Sequence, residues 1–529
     1  MLDGRLPYAS VRQPVMGDSA IAASQPLAAQ AGMAMLVKGG NAVDAAVAAA
    51  MALTVVEPTG CGIGSDAYAI LWDGKTLHGL NASGRSPAAW EPDLFAGMGR
   101  MPERGWNAVT VPGAVSAWIA LWRRFGSLPL DEIAAPAIRF AEEGFPVSPV
   151  IAVLWANGAK VLSGQPGFAE AFLPGGRAPV AGERVFLADH GRSLRRIVAT
   201  EGADFYSGEL AERMVAHSKA CGGHLSLDDL AEHRAEWVGT ISTRFAGHLL
   251  HEIPPNGQGI AALIAAGILE RTPWSAADVD SVETTHLAIE AAKLGMADAA
   301  EHITDIDHMR LAPADLLEPA YLASRAALID PHRAGDPGHG TPRPGGTVYL
   351  AVADRNGMMI SFIQSNFMGF GSGVVVPGTG ISLQNRGAGF HLDPAHVNRV
   401  APRKKPFQTI IPCFATDPDG LPVMSFGVMG GPMQAQGHLQ MALRVLGHGQ
   451  NPQAAADAPR WRIVSGRGVA LESTFDSALA QALARLGHEI SVESPDAVFG
   501  FGGAQLIRRI PSGFVAGTDP RKDGVALAF

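Results

Sequence analysis

Apolar positions along the chain fall into blocks whose period changes from helical to strand-like and back. Residues 22–37, rich in Ala and Met, predict a helix that Gly39-Gly40 ends. Asn41 can cap a second helix running to Val56, with Asp44 in its first turn. Its alanines allow close packing on a flat surface, most simply a sheet. Glu57-Pro58 closes it, and Gly60-Cys61-Gly62-Ile63-Gly64 is a loop that lets backbone approach other groups. Ala67–Trp72 predicts a strand before an Asp73-Gly74 turn. Helical periods return over 114–125, 130–144 and 282–300. Between 146 and 272 helical patches alternate with loops, and Ser226 is a candidate N-cap.

From Leu328 to Gly346 the texture changes to a Pro/Gly-rich, barely apolar segment, as expected of a linker or surface loop. Order resumes at once: Thr347–Asp354 predicts a strand, Asn356-Gly357 a tight turn, and Met358–Gln364 the return strand. Weak alternation in this hairpin implies cover on both faces. Strand-like pieces follow at 380–383 and 423–428. Gly430-Gly431 then precedes a helix over Pro432–Leu446, with proline where a helix start tolerates it.

Composition narrows the class. The 529 residues are 47% hydrophobic and 17% charged, which suits a large packed core rather than a disordered chain. A net charge of −9 supplies no basic surplus for displacing counterions from nucleic acid. The one dense basic run, Arg403-Lys404-Lys405, is expected in a solvated loop. Cys61, Cys221 and Cys413 are too few and too scattered for a disulfide framework or a zinc site. The longest apolar stretch, 42–56, contains Asp44 and is too short to span a bilayer. A cytoplasmic protein without membrane or nucleic-acid partners is the expectation. Asp305, Asp307 and His308 resemble a metal cluster but are expected at an ordinary helix end.

Phosphate loops, a G-x-S-x-G elbow and H-E-x-x-H are all missing from the sequence. Two features remain. If the bond between Gly346 and Thr347 were cut, Thr347 would carry a free α-amine beside its own hydroxyl. An α-amine titrates near ~7.7–8.0, so one residue would hold both nucleophile and base. The alternative is a structural threonine opening a strand. Gly430-Gly431, at a strand-to-helix turn, could offer backbone N–H groups to an oxyanion, or could be a plain turn.

Taken together, these residues resemble the γ-glutamyltransferase (glutathione hydrolase) family of N-terminal-nucleophile (Ntn) hydrolases. The resemblance runs through GGNAVDAAVAAAMALTVVEPTGCGIG at 39–64, VPGAVSAW at 111–118, PAIRFAEEGFPV at 136–147 and HLAIEAAKLGMAD at 286–298. It continues through Gly346-Thr347 with VYLAVADRNG, FGSGVVVPGTGISLQNRGAGF at 370–390, RKKPFQTIIP at 403–412, VMGGP at 428–432 and GTDPRKDG at 517–524. It implies an α+β fold, the αββα four-layer sandwich, formed as a single domain from a self-cleaved precursor. It implies cleavage at Gly346–Thr347 into a large chain, 1–346, and a small chain, 347–529, held together as a heterodimer. A dimer of such heterodimers is a further expectation. Thr347 would be the catalytic nucleophile, Ser365 an assisting hydroxyl, and Gly430 and Gly431 the oxyanion donors. No metal or organic cofactor is implied, and the partner is a small-molecule amide.

Departures from the family pattern concern the substrate clamp. The arginine that grips a γ-glutamyl carboxylate falls on Ser83, with Arg85 two residues on. The aspartate that holds the α-amine falls on Gly389. An asparagine falls on Phe367, beside Asn366, and paired serines fall on Gln408 and Thr409. The expected substrate-binding residues are therefore Arg85, Asn366, Gln408 and Thr409. A buried ammonium without a carboxylate partner is costly, whereas an arginine can still take a carboxylate. The expectation is an amide hydrolase or acyltransferase with a carboxylate-bearing substrate and weakened γ-glutamyl specificity. The resemblance is nearest the branch holding glutathione hydrolase-like proteins and oxamate amidohydrolases, with cephalosporin acylases as a precedent. An unprocessed, non-catalytic binding protein is the alternative of another class.

Overall fold

Gly346–Ala353 and Met359–Phe367 consist of residues that pack on both faces, and both strands are buried throughout. In the computed structural model, which describes residues 11–337, 346–495 and 500–529, they form an antiparallel hairpin at the centre of a seven-stranded sheet. The strand order is Val525–Ala528, Ala20–Ala23, Gly346–Ala353, Met359–Phe367, Asp66–Trp72, Leu77–Ala82 and Glu236–Trp237. The hairpin turn carries Gly357 at φ +87°, which favours glycine. Asp354 ties the turn down: Oδ1 accepts from the N–H groups of Asn356 and Met358, and Oδ2 accepts from Ala42 N–H at 2.9 Å. That last bond docks the start of the Ala42–Val56 helix onto the hairpin.

The Ala42–Val56 helix lies over this sheet with every residue buried, and the Pro26–Val37 helix packs against it. Small side chains permit that approach. A second seven-stranded antiparallel sheet faces the first, in the order Val15–Gly17, Gly513–Thr518, Gly503–Ile510, Pro422–Met429, Cys413–Thr416, His248–Glu252 and Ile241–Phe245. Ser361 Oγ donates to Phe426 O at 3.3 Å and Ser425 Oγ donates to Ile360 O at 2.9 Å across the interface. A Cβ on Gly427 would stand 2.4 Å from the Tyr349 ring, so the sheets close only with glycine there. The Gly259–Leu269 and Met433–Ala442 helices cover the outer face of the second sheet. The result is the expected αββα sandwich.

Several expectations change. Ala20–Ala23 is a strand, and the first helix begins only at Pro26, with Gln25 as its cap. Proline at the first helical position marks that boundary. The 146–272 region holds a β-hairpin, Ile241–Phe245 with His248–Glu252, as well as helices. Ser226 does cap, in a reciprocal box with Asp229. In the basic run only Arg403 is solvated. Lys404 and Lys405 are buried: Lys404 Nζ donates to Val397 O and Arg399 O, and Lys405 Nζ pairs with Glu236 at 2.8 Å. Asp305 stands at an ordinary helix end, just after Val282–His302 and capping the short turn Ile306–His308; it is buried and accepts from Lys405 N–H at 2.9 Å. Of the expected 328–346 linker, residues 338–345 lie outside the described residues. Among the described residues no helix is long and apolar enough to cross a membrane.

Asp44 holds the covering helix in place. It accepts from Asn41 N–H, from the N–H and hydroxyl of Ser127, and from Leu128 N–H, while itself completely buried. Asp44→Ala strands these donors and is expected to cost about 3 kcal/mol or more. The check is a lower urea midpoint at unchanged slope; an unchanged midpoint refutes this role.

Candidate active site

The open end of the central hairpin is irregular. Gly346 pairs with Phe367 and Val348 with Gln364, so Ser365 and Asn366 together oppose Thr347 alone. This is a β-bulge, and it re-aims the Ser365 side chain. Ser365 Oγ lies 2.6 Å from the Gly346 carbonyl oxygen, to which it donates, and 3.1 Å from Thr347 Oγ1. Phe367 N–H donates to Ser365 Oγ at 2.8 Å. With the serine proton committed to the carbonyl, the Thr347 hydroxyl donates to Ser365. Phe367 pays for this geometry with a φ of +77°, in the left-handed region that bulky residues avoid.

The Gly346–Thr347 bond is enclosed on both sides by small residues. A Cβ on Gly346 would come 3.0 Å from Thr59 O, and one on Gly60 would come 2.9 Å from Val348 Cγ1 and 3.2 Å from Thr347 O. Thr347 is fully buried. The three groups in line, Thr347 O–H, Ser365 O–H and Gly346 C=O, form a relay able to carry a proton from a hydroxyl to the carbonyl that it would attack.

Gly430 and Gly431 join the Pro422–Met429 strand to the Met433–Ala442 helix with φ values of +125° and +60°, conformations that favour glycine. The turn is braced by Gln258, whose Nε2 donates to Gly431 O at 2.9 Å and Thr409 O at 2.7 Å. Gln434, in the first turn of that helix, directs Nε2 toward Thr347 Oγ1 at 3.5 Å, and its Oε1 accepts from Ile411 N–H. The structure thus brings the glycine turn and Thr347 into one neighbourhood.

Other expected residues sit around this core. Gln408 Nε2 donates to Asp66 Oδ2 at 3.0 Å, and Thr409 Oγ1 accepts from Arg386 Nη1 at 2.7 Å. Asn366 Oδ1 accepts from Ser65 Oγ at 2.8 Å, while its Nδ2 has no acceptor among the described residues. Ser83 is absorbed in a polar net with Asn81, Tyr68 and Asn256. Arg85 is drawn aside: Nη1 donates to Asp305 at 2.7 Å and to Arg403 O, and Nη2 lies near Glu236 and Asp307. It lines a cavity of about 450 Å³ with Ser83, Ser86, His233, Glu236 and Lys405.

Sequence reasoning missed Gln434, Gln258, Asp66 and Arg386. The Met433–Ala442 helix offered a signal, because its glutamines and histidine are buried all round. Polar residues inside a covered helix need partners, and for Gln434 these are Thr347 and Ile411. Burial pushes the Asp66 carboxyl up to about 7, against the pull of Arg386 and of hydrogen bonds from Gly84, Gly113 and Gln408. Burial lowers Arg386 to about 10, partly offset by Asp66.

The sequence profile described as Gamma-glutamyltranspeptidase matches residues 28–529. The chain belongs to that family. It is 36% identical over 515 residues to the glutathione hydrolase-like YwrD proenzyme of Bacillus subtilis, covering 95% of this chain and 97% of the relative. It is 38% identical over 518 residues to the oxamate amidohydrolase proenzyme of Klebsiella pneumoniae, with the same coverage. The crystal structure of a cephalosporin acylase from Bacillus halodurans superposes with a TM-score of 0.95 at 46% identity, covering 100% of this chain and 99% of that one. The protein is accordingly an enzyme of the Ntn-hydrolase fold, a hydrolase of a family that acts on amide bonds, and the two relatives named are proenzymes.

The Asp66 shift has a stability consequence. A carboxyl held above its unfolded value of 3.8 gives stability below that value, which is lost as pH rises toward 7. Replacing Asp66 with Asn should therefore flatten the fall in thermal midpoint between pH 4 and 8 relative to the parent. Parallel profiles would remove the assignment.

Proposed function

We propose that the protein cleaves itself between Gly346 and Thr347 and then hydrolyses amides through an acyl-enzyme on Thr347. The observation that supports this most directly is the placement of Ser365 Oγ against both the Thr347 hydroxyl and the Gly346 carbonyl. In the first step Thr347 Oγ1 attacks the Gly346 carbonyl carbon. Its proton passes to Ser365 as the serine proton passes to the carbonyl oxygen. Collapse breaks the Gly346–Thr347 C–N bond, the released nitrogen takes a proton, and an ester joins Gly346 to Thr347 Oγ1. Water hydrolyses that ester, leaving the Gly346 carboxylate and a free Thr347 amine. The chains 1–346 and 347–529 remain interleaved, since Ala20–Ala23 pairs with Gly346–Ala353 on one side and Val525–Ala528 on the other.

In the cleaved enzyme the Thr347 amine takes the hydroxyl proton while Oγ1 attacks a substrate amide. Gly430 and Gly431 donate to the oxyanion, their turn held by Gln258. The leaving amine departs with the proton, and water, or an amine acceptor, releases the acyl group. The substrate on this reading is a small carboxylate-bearing amide, with γ-glutamyl compounds disfavoured. Names of relatives that span glutathione hydrolase-like, oxamate amidohydrolase and cephalosporin acylase proteins support a scaffold whose acyl pocket varies. A cytoplasmic setting fits the three free thiols, Cys221 among them exposed.

Denaturing gels and mass spectrometry test the first step. The parent should yield two chains, the smaller beginning at Thr347, whereas Thr347→Ala should stay a 55.1 kDa chain without activity. A fully active unbroken chain would overturn the proposal. Ser365→Ala should slow self-cleavage about 10²–10³-fold, as loss of an oxyanion donor does; an unchanged rate would dismiss the relay. Glutathione, γ-glutamyl anilide, oxamate and a glutaryl amide sort the substrates, and a wide preference for γ-glutamyl anilide would contradict the substrate reading.

A further inference from the structure

Arg386 is an anomaly among the buried charges. Its side chain is 1% exposed, yet among the described residues only Nη1 has a hydrogen-bond acceptor, Thr409 Oγ1. Nε and Nη2 have none among the described residues. These two nitrogens form one edge of the guanidinium, the edge that grips a carboxylate with two parallel bonds. Asp66 acts on Arg386 through its charge without a hydrogen bond to it, and its oxygens accept from Gly113 N–H and Gln408 Nε2. Burying N–H donors of a cation without acceptors is expensive, so this arrangement suits a ligand that supplies them.

Placement says which ligand part would arrive there. The guanidinium lies over the Phe367 ring at 4.9 Å, and Phe367 pairs across the hairpin with Gly346 while its N–H bonds Ser365. Phe367, Met368 and Ala388 form a small apolar cluster beside it, each retaining 7–8% exposure. Phe367 therefore joins the cation and its small apolar cluster on one side to the Gly346–Thr347 bond and Ser365 on the other. We infer that the Nε/Nη2 edge of Arg386 anchors the substrate carboxylate, selecting amides of short dicarboxylic acids whose methylenes lie on Phe367, Met368 and Ala388. This rests on the proposed role of Thr347 and moves the expected anchor from Arg85 to Arg386. An ammonium carried to the same place would meet a guanidinium, so an α-amino group near the anchor is rejected by charge.

The experiment uses self-cleaved enzyme with glutaryl anilide and its methyl ester. In the parent, kcat/KM should favour the free carboxylate. Arg386→Gln should reduce that preference about 10–100-fold, mainly through KM, while the variant still cleaves itself and still hydrolyses the ester. A self-cleaving Arg386→Gln enzyme that keeps the full preference overturns the inference. A preference lost in Arg85→Gln and kept in Arg386→Gln overturns it equally. Should Arg386→Gln not fold, a crystal structure of the parent with glutarate decides: a carboxylate bonded to Nε and Nη2 supports the anchor, and glutarate seated elsewhere refutes it. Glutarate binding by calorimetry separates the two proposals. Lost affinity in folded Arg386→Gln supports the anchor even if Thr347 proves not to be the nucleophile, and unchanged affinity refutes it.

Discussion

Two residues facing one, at the end of a hairpin, is the constraint on which the site depends. A regular register would alternate Ser365 and its neighbours between the faces of the sheet. The bulge instead turns the serine hydroxyl toward the peptide bond before Thr347 and toward the threonine side chain at once. The strain is concentrated at Phe367, whose backbone is left-handed without being glycine. Such a conformation persists only where surrounding packing over-determines it. Here the glycines at 60 and 346 and the loop carbonyl of Thr59 provide that enclosure.

The four layers hold this small irregularity in place. Hydrogen bonds from Ser361 and Ser425 cross between the sheets, so the hairpin cannot slide against the strand that leads to Gly430 and Gly431. Asp354 fixes the turn of the hairpin to the start of the Ala42–Val56 helix. The Gly430-Gly431 turn and Thr347 thus belong to different sheets yet share one rigid interior. Gln258 and Gln434 make the remaining connections, linking the glycine turn, Thr409 and Thr347.

Much of this was legible in the chain itself. The helix capped by Asn41, the central hairpin and the glycine turn follow from local rules, because each has a strong short-range signal. The Ala20–Ala23 strand was less legible, since alanines adjoining a helix carry no strand preference and only pairing with Gly346–Ala353 selects one. The burial of Lys404 and Lys405 was hidden for a related reason. Their stems fill space beneath the loop while their ammonium groups find carbonyls and Glu236, a long-range arrangement that charge counting cannot anticipate. Arg85 and Arg386 show the same limit within the site. Spacing placed an arginine near the expected clamp, but Asp305, distant in sequence, occupies it. The guanidinium whose Nε and Nη2 lack acceptors among the described residues comes from a turn whose sequence alone does not distinguish it.

The complete enclosure of Thr347 carries a consequence for timing. A hydroxyl shut away from solvent meets no outside molecule, so on the proposed mechanism the newly folded chain is latent. Its first and only accessible target is the peptide bond immediately before it. Maturation then becomes a unimolecular clock started by folding, indifferent to how crowded or dilute the protein is, and each molecule proves its own interior correctly assembled before it can act on anything else.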